Sequence, residues 1–441
     1  MKKIIAVCFC LLFSALSFVS CGCQRQAASV YYLNFKPEIA GVYERIAADY
    51  QKETGIPLRV NTAASGTYEQ TLKSELGKRN APTIFQFNGP VGYQAWKGYC
   101  ADLSQTEIFK HLNDPALAFA DENGVWGIPY VVEGYGLIYN KEITDRYFAL
   151  SNRATSVGSM EEIRSFETLK AVVQDMTAKK AQLGIDGVFG ATSLKTGEEW
   201  RWTTHLANVP LHYEFQKAGT DLSNPEETSE IVFDHAAGFK ALFDLYLNNS
   251  TTDKKLLGTK QVADSMAEFA LGKCAMIQNG NWAWSQIKEI EGNKVKAENI
   301  KMMPLYIGAE GEENQGLCIG TENYLAINKN ASPEDQKAAA DFLYWLYSSE
   351  TGKRYVIEEL NFIAPFDTFS PDERPSDPLS QQVIASMEAE GIHTVTWDFT
   401  VMPGQSFKED FGAALLQYAQ GSASWQEVVD TFVRRWKEES I

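Results

Sequence analysis

The chain has 441 residues, of which 44% are hydrophobic and 22% charged, so it is long enough for two packed cores and too apolar to be disordered. Its 57 acidic residues outnumber the 40 Lys and Arg, and a formal net charge of −17 argues against nucleic acid as a partner, since phosphate backbones are also negative. Aromatic residues make up 12% of the chain and suit either core packing or a ligand with an apolar face.

The N-terminus carries the pattern of an export signal. Two lysines precede an uncharged run over residues 4–19, which is too short to cross a bilayer but typical of the apolar part of a secretory signal. The letters FVSC ending at Cys21 resemble the bacterial lipoprotein signal, with a plain cleaved signal as the alternative. We therefore predict a signal peptide over residues 1–20, a lipid on Cys21 and a tether over residues 21–29. Loss of the two lysines takes the formal charge from −17 to −19.

The first ordered part of the chain alternates strands and helices. Bulky, β-prone residues predict strands over residues 30–35, 58–62 and 83–87. Apolar residues at helical spacing predict helices over residues 39–50 and 68–76. A strand, helix, strand, helix, strand series with short turns predicts an α/β fold with a parallel sheet covered by helices.

Later segments continue the mixed pattern. Residues 136–139 are strand-like, and residues 233–247 carry a helical stripe. Ser165 and Ser332 are placed to cap two further helices. The letters SWQE starting at Ser424 form a capping box, which predicts the start of the last helix.

Motifs for cofactors, metals and hydrolytic nucleophiles are missing from the sequence. It contains no phosphate loop, dinucleotide loop, HExxH or GxSxG motif, so we expect no cofactor and no metal. Beyond Cys21, the cysteines outside the signal have no CxxC or CxxH spacing, which favours buried free thiols over a disulfide framework. These are Cys23, Cys100, Cys274 and Cys318.

Two pairs of tryptophans point to a ligand site. Trp200 and Trp202 follow two glutamates, and Trp282 and Trp284 follow closely on two asparagines. Sugar rings present an apolar face and a rim of hydroxyls, so a sugar site needs an indole plane together with carboxylate or amide groups. Such pairs also occur in cores, and if a pair lies at a helix start, one ring can face a cleft while the other packs inward.

Two longer blocks resemble a known family. Residues 128–141 read IPYVVEGYGLIYNK and residues 272–285 read GKCAMIQNGNWAWS. In order and spacing they are similar to the extracellular solute-binding proteins of carbohydrate ABC importers, the maltose-binding-protein-like family 1. Residues 87–89 and 326–329 extend the resemblance, which covers most of residues 30–350.

The resemblance implies a two-lobe, periplasmic-binding-protein-like fold of type II, in which each lobe is a sheet flanked by helices and the lobes close on ligand about a hinge. It implies that residues 30–133 and 274–328 form the first lobe. Residues 134–273 and 329–441 would form the second.

The resemblance also implies roles for individual residues. Trp282 would stack on the sugar, Glu133 would accept sugar hydroxyls, and Asn88 would make a polar contact. The other candidate ligand contacts are Trp200, Trp202, Tyr68, Glu69 and Asn281. For Trp284 we expect packing.

The sequence therefore predicts a monomeric receptor, lipid-anchored at the outer face of the cytoplasmic membrane, that binds an oligosaccharide and delivers it to the permease of an ABC importer without catalysing a reaction. A secreted glycoside hydrolase is one alternative, and it would need two carboxylates about 5 to 10 Å apart. Another is the same fold binding a polyamine or a peptide, held by the tandem indoles through cation–π contacts.

Overall fold

The computed structural model describes residues 28–64, 66–321 and 323–440, which form two α/β lobes, each built on a six-stranded sheet. The predicted signal peptide, Cys21 and the tether up to residue 27 lie outside these ranges. Within them, no helix combines the length and the apolar character needed to cross a membrane.

The sheet of lobe 1 combines the early strands of the described chain with one late strand. Its strands are β1 (Val30–Asn34), β2 (Leu58–Thr62), β3 (Ile84–Asn88), β4 (Phe119–Asp121), β5 (Gly124–Pro129) and β11 (Asn323–Ile327). They run in the order β2-β1-β3-β11-β5-β4. Because β1 pairs in parallel with both β2 and β3, the predicted parallel sheet is confirmed, and β11 joins it antiparallel to β3 and β5.

The helices of lobe 1 cover this sheet. They are α1 (Ala40–Thr54), α2 (Tyr68–Leu76), α3 (Gly89–Trp96), α4 (Glu107–Lys110), α13 (Pro333–Ser348) and α14 (Glu350–Arg354). The stripe that predicted α1 is its buried face, since Tyr43, Ile46 and Tyr50 are all buried. The helix ends where Gly55 takes a left-handed φ of 74°.

The sheet of lobe 2 is centred on one long strand. Its strands are β6 (Glu133–Asn140), β7 (Gly187–Phe189), β8 (Cys274–Gly280), β9 (Ile300–Met303), β10 (Gln315–Gly320) and β12 (His393–Val395). The central strand β6 is buried along its whole length and pairs antiparallel with β8, β9 and β10. The positions of Cys274 and Cys318 in β8 and β10 bury both thiols, and with Cys100 they are free and buried, as predicted, whereas Cys23 lies outside the described residues.

Helices surround the second sheet. They are α5 (Lys141–Phe148), α6 (Phe166–Ala178), α7 (Lys180–Leu183), α8 (Ala207–Ala218), α9 (Pro225–Thr228), α10 (Ala236–Asn248), α11 (Val262–Ala270), α12 (Ala283–Glu289), α15 (Pro378–Glu388), α16 (Gln405–Gln420) and α17 (Trp425–Glu439). The predicted capping box at Ser424 begins α17. A π-helical turn over Arg201–Leu206 leads directly into α8, and a 3₁₀ turn over Asp398–Val401 follows β12.

The chain passes between the lobes at three points of its described part, and this corrects the predicted lobe boundaries. One passage joins β5 to β6 near Glu133, as predicted, one joins β10 to β11, and one lies between Phe366 and α15. Residues 274–320 therefore belong to lobe 2, because β8 pairs with β6 in the second sheet. Residues 329–366 belong to lobe 1, because α13 packs its apolar face into the core around β1.

Candidate functional site

A cleft of about 300 Å³ lies between the lobes and is lined by side chains from both. On the lobe 1 side it is formed by the loops that follow β1, β2 and β3, since the carboxyl ends of these parallel strands share one edge of the sheet. Its aromatic, polar and charged lining is Phe35, Lys36, Glu38, Tyr68, Glu69, Gln70, Gln86, Phe87, Asn88 and Asn323 from lobe 1, with Glu133, Glu199, Trp200, Arg201, Thr203, Thr204, His205, Trp282, Gln286, Phe399, Thr400, Gln405 and Lys408 from lobe 2.

Three rings of lobe 2 form what we call the aromatic wall: Trp200, His205 and Trp282. The centroids of the two indoles are 6.1 Å apart and their planes are inclined at 41°. The imidazole of His205 lies 4.7 Å from the Trp200 ring and 5.5 Å from the Trp282 ring. The wall gives the cleft an apolar surface made of flat rings, which matches the C–H face of a sugar.

The backbone of β8 holds the Trp282 indole in place. The strand ends at Gly280, and α12 begins at Ala283, so Trp282 stands at the junction. A Cβ built on Gly280 would lie 2.1 Å from a ring carbon of Trp282. The indole therefore lies directly over Gly280, in space that any larger residue would fill.

The imidazole of His205 is an uncharged part of the wall. It stacks on the Tyr135 ring at a centroid distance of 4.1 Å and an angle of 9°. Burial, helped by the nearby charge of Arg201, holds the pKa of His205 well below its ordinary value. The ring is therefore neutral at neutral pH and adds aromatic surface without adding a charge.

A buried ion pair joins the lobes at the cleft. The Lys36 ammonium, in the loop after β1, donates to both carboxylate oxygens of Glu133 at 2.8 and 2.9 Å. Lys36 also lies 5.5 Å from the centroid of the Trp282 ring. Asn34 braces the loop, since its side chain bonds both the N–H and the C=O of Lys36. Burial raises the pKa of Glu133, and the Lys36 charge opposes that rise.

Several buried polar groups that line the cleft lack partners in the described protein. They are Gln86 Nε2, Glu199 Oε2, His205 Nδ1, and Nε and Nη1 of Arg201. Buried polar atoms are normally hydrogen-bonded, and leaving one unpaired costs about 1 to 3 kcal/mol. Because the set includes both donors and an acceptor, a ligand that donates and accepts hydrogen bonds would satisfy it.

Arg201 is the cation of this set. Its guanidinium lies 3.8 Å from the Trp200 ring centroid and donates to Asn279 Oδ1 at 3.0 Å. Burial lowers its pKa to about 9, so it remains protonated at neutral pH. A buried positive charge beside the indole makes this part of the cleft unfavourable for a cationic ligand.

The structure brings most of the predicted ligand contacts to the cleft. Trp282, Trp200, Glu133, Asn88, Tyr68 and Glu69 all line it. The Tyr68 hydroxyl is occupied by the backbone, because it donates to the Leu33 carbonyl at 3.3 Å and accepts from Gln86 N at 2.7 Å. The hydroxyl of Tyr68 is therefore already hydrogen-bonded within the protein, and the ligand roles of these residues remain predictions.

Two predicted contacts, Trp202 and Asn281, do not line this cleft, although Asn281 lines a small adjoining pocket with Glu133 and Trp282. Trp202 is 1% exposed and packs edge-on against Phe243 and Tyr246, each at 4.9 Å, in the core of lobe 2. The amide of Asn281 is occupied by the fold. It accepts from Gly134 N at 3.1 Å and donates to Ser380 Oγ at 3.0 Å, which ties the β6 strand to α15.

The sequence interpretation missed several residues of the cleft, namely Lys36, Gln86, Glu199, Arg201 and His205. Arg201 and Glu199 had a local signal, since they flank Trp200. Lys36 and Gln86 had none, because they reach the cleft only through the neighbouring positions of β1 and β3. Across the ranges that the structure describes, no three His, Cys, Asp or Glu side chains are grouped in a way that would hold a metal ion.

Comparison with known proteins finds one matching family and several solved structures with a similar fold. A model of the family described as bacterial extracellular solute-binding protein matches residues 45–382. A chitin oligosaccharide binding protein has a similar structure, with 18% identity, a TM-score of 0.68, and coverage of 94% of this chain and 99% of that one. RafE in complex with raffinose has 17% identity and a TM-score of 0.69, and the match covers 94% of this chain and 100% of that one. A Bacillus licheniformis sugar transporter in complex with stachyose has 16% identity and a TM-score of 0.67, and the match covers 93% of this chain and 100% of that one.

Proposed function

Since the chain belongs to the bacterial extracellular solute-binding proteins, we propose that it is the receptor of an ABC importer and binds an oligosaccharide in the cleft between its lobes. The observation that carries this proposal is the aromatic wall surrounded by buried, unpartnered polar groups. An indole surface and a rim of hydrogen-bonding groups are the two features that a sugar ring needs. The raffinose and stachyose complexes of proteins with the same fold support the ligand class.

Binding would shift the protein toward a closed state. The ligand would contact Trp282, Trp200 and Glu133 from lobe 2 and Asn88 from lobe 1, so it would hold the lobes together. Because the closed state makes more of these contacts, ligand raises its population. The closed receptor would then deliver the sugar to the permease.

The matched family and the pairing of Glu133 support binding without catalysis. A glycoside hydrolase needs one carboxyl as acid and another as base or nucleophile. Both oxygens of Glu133 already accept hydrogen bonds from Lys36. A polyamine would meet the buried, protonated guanidinium of Arg201 beside Trp200, which disfavours a cation at the aromatic wall.

We also propose that the receptor is a monomer held at the cell surface by a lipid on Cys21. The lipoprotein-like letters that end at Cys21 support the anchor. The short distance in sequence from Cys21 to β1, which begins at Val30, would keep lobe 1 close to the membrane. Mass spectrometry of the protein from native membranes would detect the acyl chains, and a Cys21→Ala chain should be released from the membrane.

The main test is a binding screen by thermal shift and titration calorimetry. The probes are raffinose, stachyose, malto-, chito- and xylo-oligosaccharides, with spermidine and a short peptide as non-sugar controls. We expect a saccharide to raise the melting temperature, since a ligand that binds the folded state stabilises it. Stabilisation by spermidine or the peptide alone would contradict the proposal.

The matched variants are Trp282→Ala and Trp284→Ala. Loss of an aromatic anchor should cost about 2 kcal/mol or more, which is about a 30-fold loss of affinity. Trp284 is two residues away and packs against a separate cluster of lobe 2, although it also lines a small pocket beside the cleft, so its loss should cost much less affinity than the loss of Trp282. Equal saccharide affinity of Trp282→Ala and the unmutated protein would show that the wall does not bind the sugar.

A further inference from the structure

The backbones of the two lobes meet at two points that flank the centre of the cleft. In the sheet of lobe 1, β1 lies between β2 and β3. The loop after β1 supplies Phe35, Lys36 and Glu38 to the cleft. Gly66 follows β2 on one side of this loop, and Gly89 follows β3 on the other.

Both glycines are in close contact with lobe 2. A Cβ built on Gly66 would lie 2.7 Å from the carbonyl oxygen of Gly197, and one built on Gly89 would lie 2.5 Å from that of Thr400. Both have left-handed backbones, with φ of 70° and 53°. Only glycine fits such a conformation and such an approach without strain. Around Gly89 the contact extends, because α3 packs on the 3₁₀ turn that contains Thr400.

The lining residues of the cleft include these meeting points. Gly66 and Gly197 line it at one contact, and Asn88 and Thr400 line it at the other. A ligand on the aromatic wall therefore has lobe-to-lobe backbone contact on both sides of it. A long chain that ran along the sheet edge from the Gly66 contact to the Gly89 contact would have to pass where the backbones touch.

On the basis of the proposed function, we infer that the ligand is a short oligosaccharide enclosed whole between the two glycine contacts, and not an internal stretch of a longer chain. The cleft volume of about 300 Å³ lies at the small end of the range for small-molecule sites, about 300 to 1,000 Å³, and this size favours a short oligosaccharide. The glycine contacts limit the length of the ligand, while the aromatic wall and the polar groups bind its sugar rings.

The first test is the dependence of affinity on chain length in the unmutated protein. Titration calorimetry would use the malto-, chito- and xylo- series, each from dimer to hexamer, together with raffinose and stachyose. In the series that binds, we expect the tightest binding at the dimer or trimer and a loss of at least tenfold at the hexamer. Equal or tighter binding of hexamers would overturn the length limit and leave the sugar-receptor function standing. If no saccharide bound, the proposed function itself would fail, and the length limit with it.

The second test uses glycine variants. Gly66→Ala and Gly89→Ala would place a methyl group against the other lobe, whereas Gly55→Ala is a matched control. Gly55 also has a left-handed φ, of 74°, but a Cβ there meets no atom of the described protein within 4 Å. We expect at least a tenfold loss of affinity for the preferred short sugar in the first two variants relative to Gly55→Ala, at comparable melting temperatures without ligand. Affinities equal to that of Gly55→Ala would overturn the inference.

Discussion

Removal of the Lys36 charge should make the stability of the protein depend strongly on pH. Lys36→Met keeps most of the side-chain length and removes the ammonium that holds both oxygens of Glu133. Glu133 is 4% exposed, so its carboxylate would be left buried without its cation. Breaking a buried ion pair from one side costs about 3 to 5 kcal/mol. We expect Lys36→Met to lose about this much free energy of unfolding at pH values where Glu133 is ionised.

The sign of the pH dependence follows from the pKa of Glu133. Burial already raises this pKa above its ordinary value, and Lys36 is the largest influence that lowers it. In Lys36→Met the folded-state pKa of Glu133 should therefore rise further. A carboxyl whose folded-state pKa exceeds its unfolded value favours folding at low pH, and this contribution is lost as pH rises through the folded pKa. The variant should be close to normal stability near pH 4 and weaken steadily above it.

The measurement is urea unfolding followed by tryptophan fluorescence at a series of pH values, with Lys36→Met/Glu133→Gln as the matched control. Replacing both charges removes the unpaired carboxylate, so the double variant should recover most of the lost stability and lose the added pH dependence. Equal stability of the single and double variants at every pH would refute the reasoning. It would mean that water or another group compensates Glu133 when Lys36 is absent.

Two further variants separate the wall from the core behind it. Gly280→Ala should weaken saccharide binding by at least tenfold in calorimetry, because its methyl group would displace the Trp282 indole. The control is Gly98→Ala, which should bind normally because a Cβ there meets no atom of the described protein within 4 Å. Normal binding by Gly280→Ala would mean that the position of the indole does not affect affinity. Trp202→Ala should lose about 3 to 5 kcal/mol of free energy of unfolding in urea, because Trp202 lies in the core of lobe 2, while its folded fraction should bind sugar normally. A variant of normal stability with weak binding would show that Trp202 contacts the ligand.

The early elements were predictable because their signals are local. Helix α1 shows its buried face in the spacing of Tyr43, Ile46 and Tyr50, and α17 shows its start in the capping box at Ser424. The lobe boundaries had no such signal. Every residue of β8 is buried, so its apolar run fits a strand in either sheet, and only the pairing with β6 decides which. The pairing partner is a long-range property that spacing along the chain does not encode.

The two tryptophan pairs show how far local geometry reaches toward the site. Residues two apart on a helical turn point in nearly opposite directions, since each step turns the chain by about 100°. Trp200 and Trp202 stand at a π-helical turn, and Trp282 and Trp284 at the start of α12. Only one member of each pair can therefore face the cleft, and the first member does so in both cases. The choice between them depends on which side of the turn the sheet lies, and the sequence interpretation expected packing for Trp284 but placed Trp202 among the ligand contacts. Arg201, between the first pair, places its guanidinium 3.8 Å from the centroid of the Trp200 ring.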